Sequence, residues 1–403
     1  MVAIAATLTM TVSYIDRATL AVLAPAVTKA LDISDQEYGW LTAAFSIAYL
    51  IATPLAGWWI DRVGARRGLV GSVLVWSTVA ALHALAPGLG LLFALRIALG
   101  VAEGPSFPGA AQTMQRILPA ADRARGFGVL FTGSSIGGML VPPLASWLYG
   151  LAGWRVAFLG TAAIGLLWVP LWIALTRRPD VRVQLDNAGD ATRPAERATF
   201  GELVRSPIMV RALIGILAAA PVLGFLLAWG AKYLALTFDV EQAAVGHYLW
   251  LPPLLLDAGA ITFGDLASRQ LRAPGVPPRA LYAIAMLLAA MMALMPLAST
   301  PWQGMLFGGL AMAGGGALYT LVTSDMMSRM PAGSVSFAGG IMAGAQSLAL
   351  IIVNPLIGRA VEQTGSYDAV ALALGCWAIP GSLIWIAWRV PEHYQRRAPA
   401  PPA

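Results

Sequence analysis

Four charged side chains lie inside two apolar stretches of this sequence. Asp16 and Arg17 are adjacent in the first stretch, and Arg96 and Glu103 interrupt the fourth. An ionised side chain inside a bilayer costs at least ~2.5 to 3.5 kcal/mol on insertion scales, so such residues usually mark an ion or substrate path. Burial favours a neutral acid, whereas a neighbouring cation favours the carboxylate. Asp16 and Glu103 are therefore candidate proton-binding groups.

A structural role is the alternative for these charges. Asp16 with Arg17, and Arg96 with Glu103 seven residues along the same helix face, could merely neutralise each other. Arg17 is also a candidate for holding a substrate carboxylate, because a planar guanidinium meets two oxygens at once. We expect Arg96 to be a network residue that links the fourth stretch to the first.

Other polar residues in or near apolar stretches could contact a substrate: Tyr14, Tyr49, Ser134, Lys232, Gln346 and Asn354. The two tyrosines offer hydroxyl groups, although an interfacial or core position is an alternative. For Ser134, Gln346 and Asn354, hydrogen bonding between helices is an equally good alternative to substrate contact. Lys232 lies near the outer end of a stretch, where it could snorkel to the interface or contact substrate or a gate.

The composition indicates what positions these residues. With 58% hydrophobic and 11% charged residues and a mean hydropathy of +0.71 over 403 residues, the chain has the character of an integral membrane protein. Runs long enough to span a bilayer must be helical, since lipid offers no partner for free backbone groups. Twelve such runs are predicted, approximately at 3–28, 37–60, 68–87, 89–112, 124–150, 155–176, 208–236, 243–267, 279–299, 302–326, 334–358 and 367–389.

The placement of the 26 basic residues predicts the topology. Lys29, Arg155 and Arg359 lie on one side, and Arg17, Arg96 and Lys232 fall within runs. The other 20, Arg211 and Arg329 among them, lie in alternate loops on the opposite side. This positive-inside bias places both termini in the cytoplasm, in a bacterial inner membrane. A nucleic-acid partner is not expected, because a basic patch on a soluble face is missing.

A polar break divides the runs six and six. We predict a six-helix bundle at 1–176, a cytoplasmic linker at 177–207, a second six-helix bundle at 208–389 and a cytoplasmic tail at 390–403. A weak repeat supports two halves, since GWWIDR at 57–62 corresponds to GDLASR at 264–269. Repeated halves with a site between them near the midplane are typical of secondary transporters.

Signals of an enzyme are lacking. The sequence has no nucleotide-binding loop, no metal-ligand cluster and no nucleophile-base pair. Its single cysteine, Cys376, excludes a disulfide within the chain. We therefore expect no enzyme activity, no metal and no cofactor other than protons as the coupling ion, in a monomer embedded in the lipid bilayer.

The string GWWIDRVGARR, at 57–67, resembles the cytoplasmic signature of the major facilitator superfamily. The resemblance implies gating or conformational roles for Asp61, Arg62 and Arg66. Ala65 departs from the signature, because a basic residue is common there.

Other strings resemble the anion:cation symporter family within that superfamily. They are YIDRATLAVLAP at 14–25 and RIALGVAEGPSFPGA at 96–110. WGAKYL from Trp229, LPPLLLDAGAITFGDLASRQL from Leu251, SDMMSR from Ser324 and NPLIGRAVEQTGSY from Asn354 resemble its hexuronate and sugar-acid branch. Two departures from this branch bear on the exact substrate. WGAK stands in place of the usual Trp-Leu-Pro-Lys, and AQS from Ala345 stands in place of a glycine-rich stretch.

The resemblance implies roles for several residues. In the related galactonate and sialic-acid symporters, carboxylates matching Asp16 and Glu103 take part in proton coupling, and tyrosines matching Tyr14 and Tyr49 line the galactonate site. It gives Lys232 a substrate or gate contact, and Asp257 a packing or gating role. We predict proton-coupled symport of a small organic anion, such as a hexuronate or aldonate, by alternating access. Aromatic acids or lipids as cargo, or a membrane sensor, remain alternatives.

Overall fold

The computed structural model describes residues 1–119, 122–186, 200–270, 279–330 and 335–388. Regular structure in these ranges is helical and includes no β-strand. The prediction of an all-α membrane protein is therefore confirmed. The middle of the predicted linker and the tail at 390–403 lie outside the described residues.

Sixteen α-helices are present in the described ranges, joined in places by 3₁₀ turns such as His83–Leu85 and Met291–Leu297. Their bounds are α1 Val2–Val22, α2 Ala24–Leu31, α3 Asp35–Val63, α4 Ala65–Leu82, α5 Leu89–Glu103, α6 Ser106–Ile117, α7 Arg123–Thr176, α8 Pro179–Asp186, α9 Phe200–Arg205, α10 Pro207–Phe238, α11 Gly246–Leu249, α12 Leu251–Gln270, α13 Arg279–Ala290, α14 Pro301–Met327, α15 Val335–Thr364 and α16 Asp368–Ala387.

Nine helices in the described ranges are long and apolar enough to cross a membrane. They account for ten of the twelve predicted runs, because α7 covers both 124–150 and 155–176. The helix is interrupted at Ala152 and Gly153, where Gly153 has a φ of 82° that favours glycine. The two remaining runs correspond to α1 and α12, whose interiors carry charged side chains.

Contacts between Cα atoms divide the chain into two compact units. Unit 1 comprises the described parts of Met1–Ala191, Leu227–Trp250 and Ile351–Ser366, and unit 2 comprises those of Thr192–Leu226, Leu251–Leu350 and Tyr367–Ala403. Two short helices, α8 and α9, fall inside the predicted linker at 177–207. The predicted two-bundle boundaries stay a prediction.

Two glycines allow the close helix packing inside unit 1. A Cβ on Gly137 of α7 would lie 2.6 Å from the carbonyl oxygen of Thr11 on α1. A Cβ on Gly100 of α5 would lie 2.6 Å from the carbonyl oxygen of Phe45 on α3. Because real side chains do not come this close, glycine is required at both contacts. The contacts bring α1, α3, α5 and α7 together around the charges of α1 and α5.

Candidate functional site

Arg17 on α1 and Glu103 at the end of α5 form an ion pair in unit 1. The Nε and Nη2 atoms of Arg17 donate to Glu103 Oε2 at 3.1 and 3.0 Å. The Glu103 side chain is fully buried, whereas that of Arg17 is 22% exposed. A cation with an accessible face and a buried counter-ion can exchange that counter-ion for another carboxylate.

Three aromatic rings surround the Arg17 guanidinium. Its Cζ lies 4.9 Å from the ring centroid of Tyr14, 4.8 Å from that of Phe45 and 4.5 Å from that of Tyr49. Such faces attract a cation and hold its plane. The sequence predicted the two tyrosines but not Phe45, and only the packing of α3 on α5 indicates its role.

Glu103 has one satisfied and one open carboxylate oxygen. Besides Arg17, Oε2 accepts a hydrogen bond from Ser13 Oγ at 2.9 Å. Oε1 is buried and has no hydrogen-bond partner. Ser13 and Arg17 are four residues apart and so share one face of α1. A buried carboxylate oxygen without a hydrogen-bond partner is a position where a proton can bind.

Asp16 points to different neighbours. Its side chain is 2% exposed, and Oδ2 accepts a long hydrogen bond of 3.4 Å from Ser77 Oγ on α4. Oδ1 is buried without a hydrogen-bond partner, and Asp16 forms no ion pair with any residue that the structure describes. A buried carboxyl group without a counter-ion is costly when charged, so this geometry allows it to bind a proton.

Among the described residues, neither Asp16 and Arg17 nor Arg96 and Glu103 form an ion pair with each other. Successive helical residues point about 100° apart, so Asp16 and Arg17 face different helices. Arg96 and Glu103 are about two helical turns apart, too far for an ion pair. Arg96, 5% exposed, instead donates through Nη1 to the backbone oxygen of Arg17 at 3.3 Å. It thereby joins α5 to α1.

Lys232 on α10 lies in unit 1 with partners of its own. Its Nζ pairs with Asp35 Oδ1 at 2.8 Å and donates to Thr28 Oγ1 at 3.0 Å. Asp35 is held at the first turn of α3 by a capping box between Ser34 and Glu37. The sequence did not single out Asp35, because an acidic residue in the first turn of a helix is ordinary.

The remaining predicted substrate residues and Asp257, a predicted gating residue, lie in different parts of the chain, with Ser134 next to Tyr14. Asn354 is buried in unit 1, where its Oδ1 accepts a hydrogen bond from Trp229 Nε1 at 3.0 Å. Ser134 is half-buried on α7, three residues from Gly137, whose contact with α1 includes Tyr14 Cβ. Gln346 and Asp257 are half-buried in unit 2.

The signature at 57–67 forms a connected corner of unit 1. Gln112 on α6 donates to Asp61 Oδ1 at 3.0 Å and accepts from the backbone nitrogen of Ala65 at 2.8 Å. Arg62 lies over the ring of Trp58, at 3.7 Å from its centroid. The carbonyl oxygen of Arg66 accepts from Trp172 Nε1 at 3.0 Å.

Unit 2 contains a buried charge cluster that was not predicted from the sequence. Arg211, counted there as a loop residue, is 2% exposed and pairs with Asp325. Arg329, also counted in a loop, is 9% exposed and donates through Nη2 to Asp325 Oδ1 at 2.9 Å. The four-residue spacing of Asp325 and Arg329 was the available signal. Arg211 also lies 3.7 Å from the ring centroid of Trp385.

Comparison with known proteins gives consistent matches. The family model described as Major Facilitator Superfamily matches residues 6–354. The chain is 27% identical to the hexuronate transporter of Escherichia coli (strain K12), over 94% of this chain and 91% of that protein. It is 25% identical to the D-galactonate transporter of Escherichia coli O6:H1, over 94% and 93%.

Among solved structures, the chain resembles a bacterial homolog of the human lysosomal transporter Spinster in an inward-facing and unoccupied conformation. The TM-score is 0.74 with 20% identity, covering 96% of this chain and 93% of that one. This likeness shows a shared fold.

Proposed function

Because the chain belongs to the Major Facilitator Superfamily, we propose that it is a proton-coupled symporter for a small sugar acid of the hexuronate or aldonate class. The predictions of this superfamily fold and of a transporter rather than an enzyme are confirmed by the matches. The chain is a multi-pass membrane protein. We place it in a bacterial inner membrane as a monomer, with both termini in the cytoplasm.

The Arg17–Glu103 ion pair carries this proposal. Protonation of Glu103 removes the only counter-ion that Arg17 has among the described residues. A half-buried guanidinium without a counter-ion then gains most from an incoming substrate carboxylate. Conversely, a bound carboxylate that takes the donors of Arg17 leaves Glu103 more ready to accept a proton. The two events favour each other by the same free energy, and this reciprocity is the coupling.

Asp16 supplies a second proton site in the same proposal. It lies one residue from Arg17 but faces Ser77 on α4, so it can bind a proton without competing for the guanidinium. Two protons carried with one monovalent anion move one net positive charge inward. The membrane potential then adds ~2.3 kcal/mol per 100 mV.

The surroundings of Arg17 suit a hydroxylated acid. Tyr14 and Tyr49 lie beside the cation, and their hydroxyl groups can donate hydrogen bonds to a sugar acid, while Ser134 lies on the neighbouring helix. The hexuronate and D-galactonate transporters, which match over most of their length, support this substrate class.

Lys232 takes a gating role in this mechanism. Its ion pair with Asp35 ties α10 to the start of α3 within unit 1. For alternating access, this contact forms when the outer side closes and breaks when it opens. Asp61, Arg62 and Arg66 are proposed to serve the cytoplasmic side in the same way, while Asn354 and Gln346 remain candidate substrate contacts.

Uptake into proteoliposomes tests the function. We expect a pH gradient, acid outside, to drive accumulation of labelled glucuronate, galacturonate or galactonate, and a protonophore to abolish it. Unlabelled aromatic acids and lysolipids serve as competitors for the neighbouring-branch alternatives. If no sugar acid accumulates under the gradient and only an aromatic acid or lysolipid is carried, the proposed substrate class is wrong.

A further inference from the structure

A second basic site lies in unit 1, at the surface end of two membrane helices. A cavity of about 260 Å³ opens between the first turns of α4 and the last turn of α7. Its lining residues are Arg66, Arg67, Val70, Ile173, Thr176 and Arg177. Three arginines and two aliphatic residues therefore line the same space.

The walls of this cavity are held in place by buried contacts. Trp172 is fully buried, stacks on Trp168 with ring centroids 5.1 Å apart, and donates through Nε1 to the carbonyl oxygen of Arg66 at 3.0 Å. Thr176 donates to the carbonyl oxygen of Trp172 at 2.8 Å. The start of α4 and the end of α7 are thus joined next to the cavity, and its shape is formed before any ligand binds.

Among the described residues that line the cavity, the charged side chains are all basic. Arg67 and Arg177 are exposed, and neither forms an ion pair with a residue that the structure describes. No acidic side chain is among the lining residues. The cavity is distinct from the Arg17–Glu103 ion pair, because its arginines lie on α4 and at the end of α7 and not on α1 or α5.

The ligand must combine a negative group with an apolar body. Basic pockets between membrane helices on the cytoplasmic side suit anionic headgroups, and each Lys or Arg near the surface adds about 1 kcal/mol, or roughly fivefold in affinity. Val70 and Ile173 also line the cavity and offer apolar contacts to an acyl chain. A free phosphate would use the arginines but not these apolar walls.

We propose that the cavity between α4 and α7 binds the phosphate headgroup of an anionic phospholipid. The headgroup lies among Arg66, Arg67 and Arg177, and its acyl chains pass along Val70 and Ile173 into the bilayer. The site is a lipid site of the transporter and takes no part in holding its sugar-acid substrate.

Native mass spectrometry of the full chain, purified in detergent and titrated with dioleoylphosphatidylglycerol, tests the proposal. Dioleoylphosphatidylcholine has the same chains without net charge, and inorganic phosphate has the charge without chains. We expect phosphatidylglycerol to bind at least tenfold more tightly than either. In the Arg67→Gln/Arg177→Gln double variant, the affinity for phosphatidylglycerol should fall by about 25-fold, because each of the two lost arginines contributes roughly fivefold.

The arginine that follows Arg177 in the sequence provides the control for the loss of a positive charge. Arg178 is exposed and does not line the cavity, so Arg178→Gln should leave the affinity for phosphatidylglycerol unchanged while Arg177→Gln lowers it. Val70→Phe keeps all three arginines but fills the space, and should also weaken binding. Equal binding of the two phospholipids, or equal loss in Arg177→Gln and Arg178→Gln, would overturn the proposal. Tight binding of inorganic phosphate alone would reassign the site to a soluble anion.

Discussion

Arg17 donates both of its short hydrogen bonds to one oxygen of Glu103, and leaves the other oxygen of that carboxylate without a partner. The two residues are 86 positions apart and meet between α1 and α5. An ion pair that uses one oxygen keeps the second available to a proton. The pair therefore defines the first experiments on coupling.

Glu103→Gln should separate binding from coupling. Glutamine keeps the shape of the side chain, but it carries no charge and does not bind a proton near neutral pH. We expect counterflow exchange of the substrate to persist and accumulation driven by a pH gradient to fall at least tenfold. The exposed Glu241→Gln is the matched control and should behave as wild type. Full gradient-driven accumulation in Glu103→Gln would remove this residue from the coupling mechanism.

Arg17→Lys keeps the charge but loses the planar fork and much of the contact with the three rings. Losing one charge-assisted hydrogen bond costs about 1.5 to 3 kcal/mol, so the apparent affinity should fall at least tenfold. The measurement is substrate binding by the purified protein. The exposed Arg125→Lys should change nothing. Unchanged affinity in Arg17→Lys would argue that another residue holds the substrate carboxylate.

Asp16→Asn removes the carboxyl group that has no counter-ion among the described residues. We expect gradient-driven uptake to be abolished while some exchange remains, because the guanidinium of Arg17 keeps its partner Glu103. Uptake and exchange are measured in the same proteoliposomes. Asp180→Asn, exposed on α8, serves as the control. Concentrative uptake at the wild-type level would contradict a proton role for Asp16.

Asp35 and Lys232 should act as one unit in transport. Asp35→Asn and Lys232→Met each break the same 2.8 Å ion pair, so the double variant should be no slower than the slower single variant. The measurement is the initial rate of uptake at saturating substrate for all four proteins. Additive losses would mean that Lys232 has a separate role, for example a direct substrate contact.

Asp325→Asn should destabilise unit 2. The change removes the carboxylate that Arg211 and Arg329 share, and breaking a buried ion pair from one side typically costs about 3 to 5 kcal/mol. Thermal unfolding in detergent should show a clear fall in midpoint, and adding Arg211→Met should recover part of it. Asp265→Asn breaks only the exposed pair with Arg269, worth about 0 to 1 kcal/mol. Equal midpoints for the two variants would contradict a stabilising role of the cluster.

Much of the architecture follows from local features of the chain. Apolar runs of bilayer length must be helical, and the polar breaks between them indicate where helices begin and end. The break predicted between the runs at 124–150 and 155–176 coincides with the interruption of α7 at Ala152 and Gly153. The rarity of charges inside apolar runs likewise identified Asp16, Arg17, Arg96 and Glu103 as candidates without any tertiary information.

The sequence alone determined that this protein is a helical membrane protein with charges inside its first and fourth apolar runs, because hydropathy and charge are properties of the residues. Only the tertiary structure decided which charges meet. Neighbours on a helix point to different sides, so Arg17 turns to Glu103 while Asp16 turns to Ser77. Tertiary structure also decided the contact of Phe45 with Arg17, the ion pair of Asp35 with Lys232 and the burial of Arg211 beside Asp325. In each case the two partners come from helices that are distant in sequence.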